Sequence, residues 1–136
     1  MNAEQKIKKQ ILLQAQGGLY SEPFKKGIEI TAENVDGLYD EFRETNFYWD
    51  YESEFRGGEV ETEIDAGWSR NYELKSVASQ VFDGSWVGWT YVYGGGKHAC
   101  PEDIPWMDDA YELSCTESEK TVIVRDFQKV SEQIAT

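Results

Sequence analysis

His98, Cys100 and Cys115 are the residue types most often recruited for acid–base, nucleophilic or metal chemistry, and they are scarce. The chain has one histidine and two cysteines in 136 residues. One histidine permits at most one His-dependent proton-transfer group. Together the three side chains could offer ligands to zinc, but the paired C-x-x-C or H-x-x-x-H spacing that holds zinc is missing. No metal or other cofactor is therefore expected, and the two cysteines read as packed, reduced thiols. Gly94-Gly95-Gly96-Lys97 presents consecutive amides and a lysine to an anion. A phosphate loop needs G-x-x-x-x-G-K-[ST] between a strand and a helix, whereas His98 and then Pro101 follow here. The segment reads instead as a loop leaving a strand. Carboxylate pairs are so abundant that proximity alone does not single out a glycosidase-like pair. An enzyme is not expected; a small enzyme or ligand-binding domain built on the Gly94–His98 loop and nearby aromatics is kept as an alternative.

Charge is the stronger signal. Asp and Glu number 26 against 13 Lys and Arg, a net charge of −13. Residues 31–65 hold twelve of those acids and two bases, and residues 98–119 hold seven acids and no Lys or Arg. Such a body repels nucleic acid and attracts basic proteins over long range. Clustered carboxylates could also suggest Ca²⁺, but the D-x-[DN]-x-[DN]-G loop is absent. No apolar run is long enough to cross a membrane, and the first twenty residues lack the apolar core of a signal peptide. A soluble, cytoplasmic protein is expected.

The elements that position these residues follow from hydrophobic period. Ala3, Ile7, Ile11 and Ala15 fall at i, i+4, with Asn2 and Gln5 placed as a capping box and Gly17-Gly18 as a stop, which predicts a helix over 2–16. It is the only basic element, with Lys6, Lys8 and Lys9. Thr31 as N-cap, then Val35, Leu38, Tyr39 and Phe42, predict a second helix over about 32–44. From Asn46 the period reads as two. Phe47, Trp49, Tyr51, Ser53 and Phe55 alternate with polar residues, as do Val60, Thr62 and Ile64 after Gly57-Gly58, which predicts a β-hairpin turning at the two glycines. Its solvent face would carry Asp50, Glu52, Glu54, Glu59, Glu61, Glu63 and Asp65, with Glu54 opposite Glu61 and Glu52 opposite Glu63. Asp83-Gly84 predicts a second hairpin, 72–82 with 85–93, gathering Leu74, Ala78, Phe82, Val87, Trp89 and Tyr91 on one face. A last strand pair is expected at about 111–115 and 121–127. The fold class is thus α+β: two N-terminal helices packed on an antiparallel sheet of five to six strands built from hairpins. The chain reads as a single domain over 1–136, mainly helical over 1–45, antiparallel β over 46–128, with a tail over 129–136.

Like-charge cross-strand pairs destabilise a sheet, so folding alone would not select them. Acids at alternate residues of a strand sit about 6.6 Å apart, and two paired strands reach about half the linear charge density of duplex DNA. The preceding helix repeats the pattern with Asp36, Asp40 and Glu44 at i, i+4. These ten acids are the candidate partner-binding residues, and Trp86 and Trp89, of opposite parity on one strand, are candidate aromatic anchors. In size and charge the chain is similar to DNA-mimic inhibitors of phages and mobile elements, among them anti-restriction and anti-CRISPR proteins. That similarity is compositional and assigns no residue a role. It implies a non-enzymatic inhibitor that engages a basic, nucleic-acid-binding protein, with no direct nucleic-acid or membrane binding. A cognate immunity protein for a basic nuclease toxin would use the same charge, and a face that merely keeps the protein dispersed is the plain alternative.

Overall fold

The computed structural model describes residues 1–130. Helix α1 (Ala3–Gly17) begins at the expected capping box: the Asn2 backbone N–H donates to Gln5 Oε1 at 3.1 Å and the Gln5 N–H to Asn2 Oδ1 at 2.8 Å. It ends at Gly18, whose φ of 72° is the left-handed conformation that glycine adopts without strain. Helix α2 (Val35–Arg43) is entered through a turn in which Thr31 and Asn34 exchange side-chain-to-backbone bonds of 3.3 and 2.7 Å. Val35, Tyr39 and Phe42 form its buried stripe.

The first expected hairpin does not form. Residues Tyr48–Arg56 are a third helix, α3, and only Val60–Glu61 pair as a strand, β1. The reason lies in an ambiguity of period: Phe47, Tyr51 and Phe55 satisfy both a period of two and the i, i+4 helical stripe. Packing decides between them. Tyr51 and Phe55 bury against α1, α2 and the sheet, Phe42 contacts Phe47 at a tilt and Tyr51 edge-on at centroid separations of 6.1 and 5.8 Å, and Phe55 stacks on Trp89 at 5.3 Å. A helix also separates the like charges that the hairpin would have faced off. Gly57-Gly58 therefore closes a helix, with Gly58 left-handed at φ 75°.

The sheet is antiparallel with four strands, in the order β1, β2 (Glu73–Gln80), β3 (Trp86–Tyr93), β4 (Tyr111–Leu113). The β2–β3 hairpin forms as expected, but its register differs by one. Asp83-Gly84 belongs to a three-residue loop closed by Val81 N–H to Ser85 O (2.9 Å), with Gly84 at φ 85°, so Val77 faces Trp89 and Gln80 faces Trp86. One added residue flips every side chain of β2. The core face consequently carries Val77 and Val81 with Val87 and Trp89, while Leu74 and Ala78 lie on the opposite face. All three helices contribute to the buried cluster on the Val77–Trp89 face.

Over the described residues the architecture is thus α+β with three α-helices and four strands, rather than two helices and five to six strands. Residues 48–56 are helical rather than β, and the expected strand over 121–127 is absent. β4 spans only three residues and offers an incoming strand few pairing positions; residues 114–130 run exposed without helix or strand. The end of the expected tail, 131–136, lies outside the described residues. Among the described residues no helix is long and apolar enough to cross a membrane.

Candidate functional site

Two of the ten candidate acids are held by side chains of another helix. Asp36 accepts from Lys8 Nζ at 3.1 Å and from Gln5 Nε2 at 3.2 Å, and the lysine holds its carboxyl below the ordinary range. Glu52 is buried at the α2–α3 contact, where it accepts from the Tyr39 hydroxyl at 2.7 Å and faces Arg43 Nε at 3.6 Å. Burial, and then the adjacent Glu52 carboxylate, push the Tyr39 phenol well above its usual value. The other eight are exposed and have no ion pair among the described residues: Asp40 and Glu44 on α2, Asp50 and Glu54 on α3, and Glu59, Glu61, Glu63 and Asp65 along and beyond β1. The flat seven-acid face is replaced by acids spread over consecutive elements. Glu54 does not face Glu61, and Glu59 is fixed instead by its N–H donating to Ser79 Oγ at 2.9 Å.

What brings distant acids together is a cleft of about 260 Å³ between α1, α2, α3 and the segment 103–108. Asp40 from the first acidic stretch lines it with Asp103 and Asp108 from the second. Its inner wall is the Tyr39–Glu52–Arg43 group and Trp106. Trp106 is buried against Trp89, with ring centroids 5.2 Å apart, and this contact pins the 103–108 segment onto the core. Arg43 and Lys8 also line the cleft, but each is engaged: Arg43 with Glu52, Lys8 with Glu4 at 3.3 Å and Asp36. Asp40, Asp103 and Asp108 are left as uncompensated negative charge around an open hollow. A cationic side chain is the chemistry this hollow fits.

The basic helix docks on the chain's own acids. Lys6 Nζ sits 2.7 Å from Glu112 and 3.6 Å from Asp83, and the Glu112 bond chiefly raises its pKa. Lys9 lies over the Phe82 ring at 4.5 Å.

Among the candidate anchors, Trp89 is fully buried core and Trp86 is half-buried on the opposite sheet face. The tryptophans open to a partner are Trp68, 84% exposed, and Trp49. Trp68 follows a turn in which Gly67 N–H donates to Asp65 Oδ1 at 2.8 Å, and its place between Gly67 and Ser69, outside any periodic stripe, was the available signal. Asp103 and Asp108 had a signal too, the excess of acids over 98–119, but no spacing rule links them to Asp40. His98 and Lys97 lie on an exposed loop; Gly94, Gly95 and Gly96 all have positive φ, and three residues of 3₁₀ helix (Pro101–Asp103) follow instead of an α-helix. Cys100 and Cys115 are free but exposed, not packed. Among the described residues no three His, Cys, Asp or Glu side chains are grouped to hold a metal ion. No protein-family model, curated protein or solved structure matches this chain.

Proposed function

We propose that the chain is a non-enzymatic acidic binding protein that engages a basic, nucleic-acid-binding protein and occupies its nucleic-acid groove. In that role it acts as DNA-mimic inhibitors of phages and mobile elements do, including those directed at restriction and CRISPR systems. The observation that carries this reading is the convergence of Asp40, Asp103 and Asp108 on one cleft, beside the unpaired acids of α2, α3 and β1. Single exposed ion pairs are worth only about 0–1 kcal/mol, so such an interface gains affinity from many contacts and from fast, steered encounter. A steep dependence on salt follows.

The test is capture of a basic partner from lysate at about 50 and about 500 mM salt, followed by competition with duplex DNA. Release by salt and by DNA, and at least about tenfold weaker capture by the triple variant Asp40→Lys, Asp103→Lys, Asp108→Lys, are expected; three reversed contacts at about 0.5 kcal/mol each suffice. Capture indifferent to the triple variant removes the cleft from the interface. A partner retained against excess DNA contradicts groove occupation.

A further inference from the structure

The segment after β4 is the least expected part of the molecule. Residues Lys120–Val130 carry Val122, Ile123, Val124, Phe127 and Val130, which are 72–88% exposed, and no backbone hydrogen bond ties this stretch to the rest of the described chain. β-branched and aromatic residues at this density suit a strand with a partner, not a solvated coil. The same molecule offers an unfilled place. On the sheet face opposite the helices, a groove of about 510 Å³ is lined by Val60, Ile64, Ala78, Trp86 and Leu113, with Val60 and Ile64 nearly half exposed. Gly88 lies on this face under Tyr111 and Leu113; a Cβ there would come within 2.8 Å of both side chains, so the residue is kept small to let them lie flat.

We propose that the arm Lys120–Val130 of one copy docks on this outer sheet face of a second copy, and the reverse, giving a reciprocal two-fold dimer. Three observations favour a second copy as occupant. The arm bears Lys120, Arg125 and Lys129 against one acid, Asp126, whereas residues 1–119 are strongly acidic and the groove's charged lining residue is Glu63. The groove's far wall is Leu113–Thr116 of the same chain, so an arm filling its own groove would have to reverse within Glu117–Lys120 and cross the wall it has just formed. Extended, eleven residues reach about 36 Å, longer than any strand of the sheet and enough to cross to a neighbour. Exchange of identical elements is a low-cost route to closed dimers.

Mass measurement by light scattering, across roughly a hundredfold concentration range, tests this on the full chain. The wild type is expected at twice the chain mass at the upper end. Val124→Asp with Phe127→Asp in the arm, and separately Ile64→Asp in the groove, are expected to give monomers with unchanged circular dichroism, because all three sites are exposed. A monomeric wild type overturns the proposal, as an arm folded back on its own sheet or reserved for another protein would give. A dimer that survives Ile64→Asp also overturns it, since arms zipped to each other would not need the groove.

Discussion

Replacing Tyr39 with Phe removes one oxygen atom and tests the buried polar group at the base of the cleft. The Tyr39 hydroxyl donates at 2.7 Å to Glu52, and both side chains are buried. The ring itself is kept, so its contact with Phe42 at 5.6 Å survives and little packing energy changes. What is lost is a hydrogen bond to a carboxylate, worth about 1.5–3 kcal/mol, and what remains is a buried charge facing Arg43 at 3.6 Å. Arg43 is half exposed and forms a longer contact, so it offsets only part of the loss. A destabilisation of about 2 kcal/mol is expected, read as a lower urea midpoint with unchanged slope, or a fall in Tm of about 5–8 °C. Glu52→Leu alone, which strands the hydroxyl, should cost a similar amount. The double variant should cost clearly less than the sum, with a coupling of about 1–2 kcal/mol. A Tyr39→Phe effect below about 0.5 kcal/mol, or additive single effects, would refute the assignment of Glu52 as a charge held by this hydroxyl.

Two further outcomes follow from the geometry. Gly58→Ala should cost about 2–4 kcal/mol in urea unfolding, because φ is 75° and the new Cβ would fall 2.6 Å from Val77 Cβ, whereas Gly67→Ala, at φ 82° with open space around it, should cost only the backbone term of about 1–2 kcal/mol; equal costs would contradict the close approach of Gly58 to β2. Tyr39, with its folded pKa raised by burial and Glu52, contributes stability that is fully present below the ordinary phenol value of about 10 and lost as pH rises above it, so stability should fall more steeply there in the wild type than in Tyr39→Phe; matching slopes would show that Tyr39 ionises as freely folded as unfolded.

The parts of the fold legible in the sequence are those where local signals agree. Asn2 with Gln5, the stripe Ala3–Ile7–Ile11–Ala15 and Gly17-Gly18 each specify α1, and nothing opposes them. The β2–β3 hairpin was legible as an element but not in register, because Asp83-Gly84 suits a two-residue turn and a three-residue loop equally well. The residue that separates them is Phe82, which is exposed in the loop instead of extending the core face. α3 was not legible, because Phe47, Tyr51 and Phe55 fit either period and the deciding contacts, with Phe42 and Trp89, are remote in sequence. The cleft shared that fate. Asp40 is more than sixty residues from Asp103, and only the burial of Trp106 on Trp89 brings them to one hollow.

Helix α3 changes what the acids cost but does not remove the cost. Asp50, in the first turn of α3, is favoured by the partial positive charge of the helix N-terminus. Glu44, the C-cap of α2, and Glu54, in the last turns of α3, sit where the helix dipole prefers a cation, and each follows another acid at i+4. Folding gains nothing from these two positions. Glu44→Lys with Glu54→Lys should therefore raise stability, by about 0.3–1 kcal/mol at each site at low salt. If the acids are retained for a basic partner, the more stable variant should capture that partner about fivefold less well, two reversed contacts at about 0.5 kcal/mol each, the usual opposition between stability and a binding surface. A stability gain with undiminished capture would reduce both acids to dispersing charge, and no gain at all would mean that the dipole and like-charge terms at these ends are too screened to have shaped the choice of residue.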